Sequence, residues 1–369
     1  MVAFTGAFVA LQMPDAVRIA ALLAFVLSGY LAGRILARRP STVLLTLYLT
    51  GLTAAFVVLK RYSFLELVLP STWIGKAIDL VGLSFVFFRQ IHFVVDVKQG
   101  AITQTSIASY LCYQLNPFTL LAGPIQRYPY FHEDWQRLTP LPADGHGLRM
   151  AYLRILLGTI QVAFVAEACL WLASTPIPQL GPLWRPLSFY LFPAYVYFNF
   201  AGYCDIVIAG ASLFGMRVPE NFDRPYLARD MIEFWTRWHR TLSFWIRDYI
   251  FTPIYLAIGR RRPGLAGQLV FACYFLTLFL AGIWHGASWN FVVFGVLNGL
   301  GVSAAKLWET WLRRRRGRRP SGPWGTTAAR VATFHFVCLT MQFLRPGSID
   351  NLIEWSGRLR DWSVHLVTG

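Results

Sequence analysis

His285 stands in an otherwise apolar run, Leu278 to Asn290, which reads L-F-L-A-G-I-W-H-G-A-S-W-N. An imidazole titrates near neutral pH, so it can take up or give a proton there. An ionisable group within an apolar span is expensive and usually functional. If the run is helical, at about 100° per residue, Ala281 and Gly282 lie one turn before the ring. Ser288 and Trp289 lie one turn after it. Small neighbours leave room for a substrate above an imidazole. They serve close helix packing equally well, and the spacing does not separate the two.

A second histidine has a different setting. Residues 229–250 read R-D-M-I-E-F-W-T-R-W-H-R-T-L-S-F-W-I-R-D-Y-I. On a helical wheel Phe234, Trp235, Trp238, Trp245, Ile246, Tyr249 and Ile250 share one face. Glu233, Arg237, Arg240, Arg247 and Asp248 share the other, interrupted by Phe244. The pattern predicts one interfacial amphipathic helix, with Trp at the boundary and Arg in water. His239 falls at the edge of the apolar face, as a boundary residue or as an inward-pointing functional one. Asn199 and Asp205 lie among aromatics in Y-F-N-F-A-G-Y-C-D, Tyr197 to Asp205. Such groups need partners, either between helices or on a polar substrate. The two prolines of Pro219 to Pro225 bracket a rigid polar turn, and Gly123-Pro124 with Arg127 breaks another apolar segment. No Gly-rich phosphate loop, G-x-S-x-G elbow or H-E-x-x-H pair occurs.

The elements that must hold these residues are membrane helices. The charged fraction is 14% and the apolar fraction 56%, with a mean hydropathy of +0.46, which excludes a disordered chain and disfavours a soluble enzyme. The net charge of +16 suits nucleic acid or an anionic membrane. Apolar runs as long as a bilayer is thick favour the membrane and argue against nucleic acid. Candidate spans are Ala16–Ala37, Ser41–Leu59, Thr105–Gly123, Tyr152–Ala173, Leu187–Phe214, Leu265–Ile283, Trp289–Leu307 and Thr327–Phe343. The stretch Ala77–Val97 carries Arg89, His92 and Asp96, as a span facing protein or as a re-entrant segment. About eight to eleven membrane segments are expected, all helical. Residues 1–13 look like part of the first membrane element rather than a cleaved signal.

The densest basic runs, Arg260–Arg262 and Arg313–Arg319, should be cytoplasmic. Two apolar segments separate them, so Leu265–Leu307 should form a hairpin that turns at Gly282–Gly286. The plain reading of the arginines is that they set topology; a lipid- or partner-specific role is the other. The five cysteines lie apart in apolar stretches and predict packing rather than a metal site or disulfide framework.

Seven motifs, taken in order, resemble the membrane-bound O-acyltransferase family. They are Gly82-Leu-Ser-Phe85 through Asp96; Ala122-Gly-Pro-Ile125 with Arg127; Phe200-Ala-Gly-Tyr203 with Asp205; Pro219-Glu-Asn-Phe222 with Arg224-Pro-Tyr226; Phe234-Trp-Thr-Arg-Trp-His239; Leu242-Ser-Phe-Trp245 with Arg247-Asp-Tyr249; and Gly282-Ile-Trp-His-Gly286 with Trp289-Asn290. The match runs from about residue 80 to 300. It is most similar to the bacterial branch that holds alginate O-acetylation and teichoic-acid D-alanyl transfer proteins. The compact length resembles the D-alanyl branch and the Gly-Pro element the acetylation type. Phe343-Leu-Arg-Pro346 is only loosely similar to the family's C-terminal Phe-Arg signature.

The resemblance implies one integral-membrane domain over 1–369, a bundle of membrane helices with interfacial and re-entrant pieces, in the cell inner membrane. It implies an O-acyltransferase in which His285 matches the family's essential histidine and His239 its second, more variable polar position. Trp284, Ser288, Asn290, Asp205 and Arg237 would line the substrate path. The donor would be a cytoplasmic thioester, acetyl-CoA or an acyl-carrier protein, with no resident cofactor or metal. The acceptor would be a hydroxyl of an exported polysaccharide or envelope glycan, or a periplasmic protein that relays the acyl group. Arg237, Arg240 and Arg247 would offer an acidic carrier a landing face. D-alanyl transfer from a carrier is the alternative within the family. A flippase with Asp205, Asn199 and Arg89 along its path, and a docking subunit built on the Trp-rich face, are the alternatives outside it.

Overall fold

The computed structural model describes residues 5–8, 15–60, 62, 82–137, 145–175, 184–286, 288–315, 322–345, 347 and 349. Most of residues 1–13, the start of the 77–97 stretch, Arg316–Arg319 and His365 lie outside them. Among the described residues there is no strand. The helices in chain order are α1 (Ala16–Arg38), α2 (Thr42–Leu59), α3 (Leu83–Lys98), α4 (Ile107–Gln114) and α5 (Tyr128–Arg137). Next comes a rod of α6 (Gly145–Ile160) and α7 (Glu167–Ser174) joined by a π-turn, then α8 (Trp184–Leu213). The last six are α9 (Met231–Arg237), α10 (Arg240–Ile246), α11 (Thr252–Arg261), α12 (Ala266–His285), α13 (Trp289–Arg314) and α14 (Pro323–Met341).

Six of these are long and apolar enough to cross a bilayer: α1, α2, the α6–α7 rod, α8, α12 and α13. Among the described residues this is fewer than the eight to eleven expected, and one missing span has a local cause. The span expected over Thr105–Gly123 is not one. Its helix α4 stops at Gln114, because Asn116-Pro117 follows. Proline disfavours the helical conformation in the residue before it, and the Asn116 side chain accepts from the Phe118 N–H instead. The segment expected over Thr327–Phe343 is α14, which is not among the six.

The chain divides into two compact units. In the first (Met1–Phe164 and Asn199–Asn221) α1 and α2 pack on α3. Polar clamps tie them: Tyr48 donates to the Gln90 amide oxygen at 2.6 Å, and Gln90 donates to the Phe25 carbonyl at 3.0 Å. Arg89 is fully buried. Its guanidinium donates to the carbonyls of Tyr113 (2.8 Å), Gln114 (2.7 Å) and Thr119 (2.7 Å). A helix end leaves carbonyls unsatisfied. Here α4 ends inside protein, and Arg89 supplies the donors that a continuing helix would have supplied. Arg89→Met should therefore lose about 3 kcal/mol or more, since each buried carbonyl left unpaired costs about 1–3 kcal/mol. Fluorescence-detected size exclusion of solubilised membranes should show a small monodisperse fraction for Arg89→Met and an intermediate one for Arg89→Lys. A wild-type profile for Arg89→Met would refute the strut.

In the second unit (Val165–Phe198 and Phe222–Gly369) a buried cluster of Ala228, Met231, Phe234 and Trp238 meets Val302 of α13 and Val337 and Met341 of α14. Pro193 sits inside α8. Having no N–H, it leaves the Phe189 carbonyl one turn earlier without its helical donor. The Gln342 side chain fills that place at 2.8 Å. Helices α12 and α13 form the expected hairpin, packed along their length. The Ser303 hydroxyl of α13 donates to the Phe271 carbonyl of α12 at 3.2 Å.

The single amphipathic helix expected over 229–250 is not observed. The segment breaks at Trp238-His239 into α9 and α10, followed by a π-turn at Arg247–Phe251. Two tertiary contacts outweigh the periodicity. The Asp223 N–H takes the Arg237 carbonyl at 2.9 Å. Trp238 turns into an aromatic socket, stacked on Phe234 at 5.7 Å and edge-on to Phe222 at 5.0 Å.

Candidate active site

The break in the helix creates the first half of the site. His239 is the residue before α10, with φ 43° and ψ 49°. This left-handed conformation is uncommon outside glycine, and histidine is among the few types enriched in it. Its carbonyl accepts from the N–H groups of Leu242 (3.0 Å) and Ser243 (3.1 Å), which starts α10. The side chain is buried, 4% exposed. Of the two readings the wheel allowed, boundary or inward-pointing, the structure shows the inward one, set by a backbone kink rather than by a continuous helix. Burial first, and repulsion from His285 second, push its imidazole down to about 3. The ring is therefore neutral at physiological pH, able to donate one hydrogen bond and accept another. His239→Gly and His239→Ala separate backbone from side chain. Glycine should be the more stable replacement by about 1 kcal/mol, because alanine pays the left-handed penalty. Thermal unfolding of the two purified variants checks this; a more stable alanine would mean the kink is not required.

The second half lies at the end of the hairpin's first arm. His285 is the last residue of α12, and the extended Gly286 (φ 173°) ends the helix there. The ring is exposed, with Trp284 at 4.8 Å, Phe291 stacked at 6.0 Å and Phe294 edge-on at 5.9 Å. Phe294 also meets Trp235 of α9 at 6.5 Å. One aromatic wall thus runs from His285 to the helix that ends beside His239. Far apart in sequence, the two histidines are close enough for the charge on one to act on the other.

A cavity of about 250 Å³ lies between α9, α10 and α12. Trp235, Leu242, Ser243, Tyr274, Leu278 and Ala281 line it. Leu242 and Ser243 bond to His239, and Ala281 lies one turn below His285. The two readings of the small residues are thereby divided. Ala281 opens onto space. Gly282 serves packing, since a Cβ on it would stand 2.5 Å from the Gly295 Cα.

The remaining sequence candidates have these places. Trp284 flanks the His285 ring. Ser288 is the exposed residue before α13. Asn290 donates to the Arg345 carbonyl at 3.0 Å and accepts from the Ile349 N–H at 3.3 Å. Arg237 pairs with Glu233 at 2.8 Å and donates to the Asp223 carbonyl at 3.3 Å. Asp205 belongs to the first unit, where Arg154 holds it at 2.7 Å and also grips Glu220. Arg240 and Arg247 both lie over the Phe244 ring, at 5.7 and 4.9 Å. Sequence reasoning missed Arg345. Its guanidinium donates to the Ala173 carbonyl at 2.9 Å and lies 5.3 Å from the Phe192 ring centroid. With Asn290 it ties the hairpin turn to α7 and α8; the faint Phe-Leu-Arg signature was the signal.

A profile of the membrane-bound O-acyltransferase family matches residues 41–343. The chain is 27% identical over 285 residues to a teichoic acid D-alanyltransferase of Bacillus subtilis, covering 76% of this chain and 72% of that protein. It is 27% identical over 253 residues to the Streptococcus thermophilus protein of the same name, covering 65% and 59%. It is 31% identical over 245 residues to a probable alginate O-acetylase AlgI of Azotobacter vinelandii, covering 65% and 45%. The chain thus spans about three fifths of the Streptococcus thermophilus relative and under half of the Azotobacter vinelandii one.

Proposed function

The chain belongs to the membrane-bound O-acyltransferase family, and on that footing we propose that it moves an acyl group from a thioester to a hydroxyl at His285. The observation that carries this reading is the pairing of an accessible imidazole with a buried neutral one beside a mostly apolar cavity. The steps follow from elementary chemistry. His285 takes the proton of the acceptor hydroxyl as its oxygen bonds to the thioester carbonyl carbon. The carbon–sulfur bond then breaks, the imidazolium returns the proton to the departing thiolate, and an ester remains. Neutral His239 is suited to donate a hydrogen bond to the oxyanion or to orient the donor. The cavity between α9, α10 and α12 would hold part of the donor and exclude water that would hydrolyse the thioester.

Acetyl is the proposed acyl group and an exported polysaccharide or other envelope glycan the proposed acceptor, directly or through a relay protein, at the inner membrane. D-alanyl transfer is the second reading. What favours it is the larger share, 72%, of the Bacillus subtilis relative that this chain spans. The flippase reading loses support, since Arg89 and Asp205 are engaged by protein groups. Ester analysis of the envelope glycans in a deletion strain decides among these. Loss of acetyl esters is expected, loss of D-alanyl esters supports the second reading, and unchanged ester content refutes both.

A further inference from the structure

At the opposite end of the hairpin from His285, a separate cavity of about 490 Å³ opens between α11, α12 and α13. Val270, Phe271 and Leu307 make its apolar wall, and Lys306 and Arg314 stand at its rim. The α12 helix rises about 1.5 Å per residue, which puts this cavity roughly 25 Å from His285. It belongs neither to the site nor to its acyl-transfer chemistry.

The charge around it is lopsided. Arg260, Arg261 and Arg262 end α11, and Arg313, Arg314 and Arg315 end α13. Glu309 is engaged by Lys306 at 2.9 Å and by Arg313. Among the described residues Arg314, Arg315 and the Arg260–Arg262 run make no ion pair. The level in the membrane is marked as well. Trp308 and Trp311, 52% and 44% exposed, stack at 5.0 Å. The Arg315 guanidinium lies 4.6 Å from the Trp311 centroid. Exposed tryptophans beside arginines gather where acyl chains meet headgroups.

We propose that this cavity seats one anionic phospholipid, its phosphate at Arg314 and Lys306 and an acyl chain along Val270, Phe271 and Leu307. Each alternative occupant lacks a reason for one feature. A soluble phosphate has no use for the apolar wall. A zwitterionic lipid gains nothing from the surplus cations. An acidic protein surface does not enter a cleft between helices. Bound there, the lipid would wedge α11 against the hairpin on the arginine-rich, cytoplasmic side.

Native mass spectrometry of the purified full chain tests this, with phosphatidylglycerol, phosphatidylcholine of the same acyl chains, and glycerol phosphate as probes. Phosphatidylglycerol should be retained about tenfold more than phosphatidylcholine, and glycerol phosphate should not displace it. Two exposed substitutions take the site apart. Arg314→Gln should reduce the preference about fivefold. Gly267→Trp should block the cavity and abolish retention, since a Cβ at Gly267 meets nothing within 4 Å and no clash threatens the fold. Equal retention of both lipids, retention that survives Gly267→Trp, or displacement by glycerol phosphate would each overturn the proposal. None of these readouts depends on acyl transfer, so this site and the catalytic reading stand or fall separately.

Discussion

Replacing His285 with alanine, glutamine or phenylalanine should abolish acyl transfer while the protein still accumulates in the membrane. A general base contributes roughly 10²–10⁴-fold, so glycan ester content in a complemented deletion strain should fall to the background of the empty vector. The three replacements are chosen against the rival role of His285 as a packing residue. Phenylalanine keeps a ring among Trp284, Phe291 and Phe294. Glutamine keeps hydrogen-bonding capacity without basicity near neutral pH. A packing role therefore predicts that one of them restores function; a proton-transfer role predicts that neither does. The ring is exposed and ends its helix, so its removal should leave immunoblot levels within about twofold of wild type. Ester content near normal in the alanine variant, at normal abundance, would sink the mechanism.

The parts of this architecture that were legible in the sequence are those written locally. The hairpin could be read because two arginine runs flank two apolar spans, and charge at span ends dictates direction. His285 could be singled out because a lone imidazole in an apolar run asks for a reason. What the sequence concealed depends on distant partners. Nothing in F-W-T-R-W-H-R says that the helix stops: it contains neither glycine nor proline. The stop comes from Asp223, which takes the Arg237 carbonyl, and from the socket of Phe222, Tyr197 and Tyr226 around Trp238. Hydropathy likewise read 105–123 as a span. Asn116-Pro117 was a local warning, but the partner that makes a buried helix end tolerable is Arg89, on another element. Periodicity reports which face of a helix is apolar. It does not report whether a distant side chain will end that helix.

Enlarging Gly282 or Gly295 should disable the protein as completely as losing His285, by a different route. The two glycines bring α12 and α13 together backbone to backbone. A Cβ on Gly282 would lie 2.5 Å from the Gly295 Cα and 2.7 Å from the Phe291 carbonyl. A Cβ on Gly295 would lie 2.8 Å from the Phe279 carbonyl. These neighbours are main chain, so no rotamer change relieves the clash and the helices themselves must part. Overpacking of this kind costs about 1–3 kcal/mol, occasionally more. The larger effect is on geometry. Gly282 is one turn from His285, and parting the arms shifts that ring relative to His239, which sits on a different element. Displacements near 1 Å reduce catalysis by roughly 10²-fold. Gly282→Leu and Gly295→Leu should thus lose ester formation and shorten the half-life in detergent together. Gly267→Ala, on the same helix but beside open space, should leave both unchanged. The coupling of the two losses distinguishes this from His285→Ala, which should lose activity alone. An active, long-lived Gly282→Leu protein would show that the close crossing of α12 and α13 does not set the position of the His285 ring.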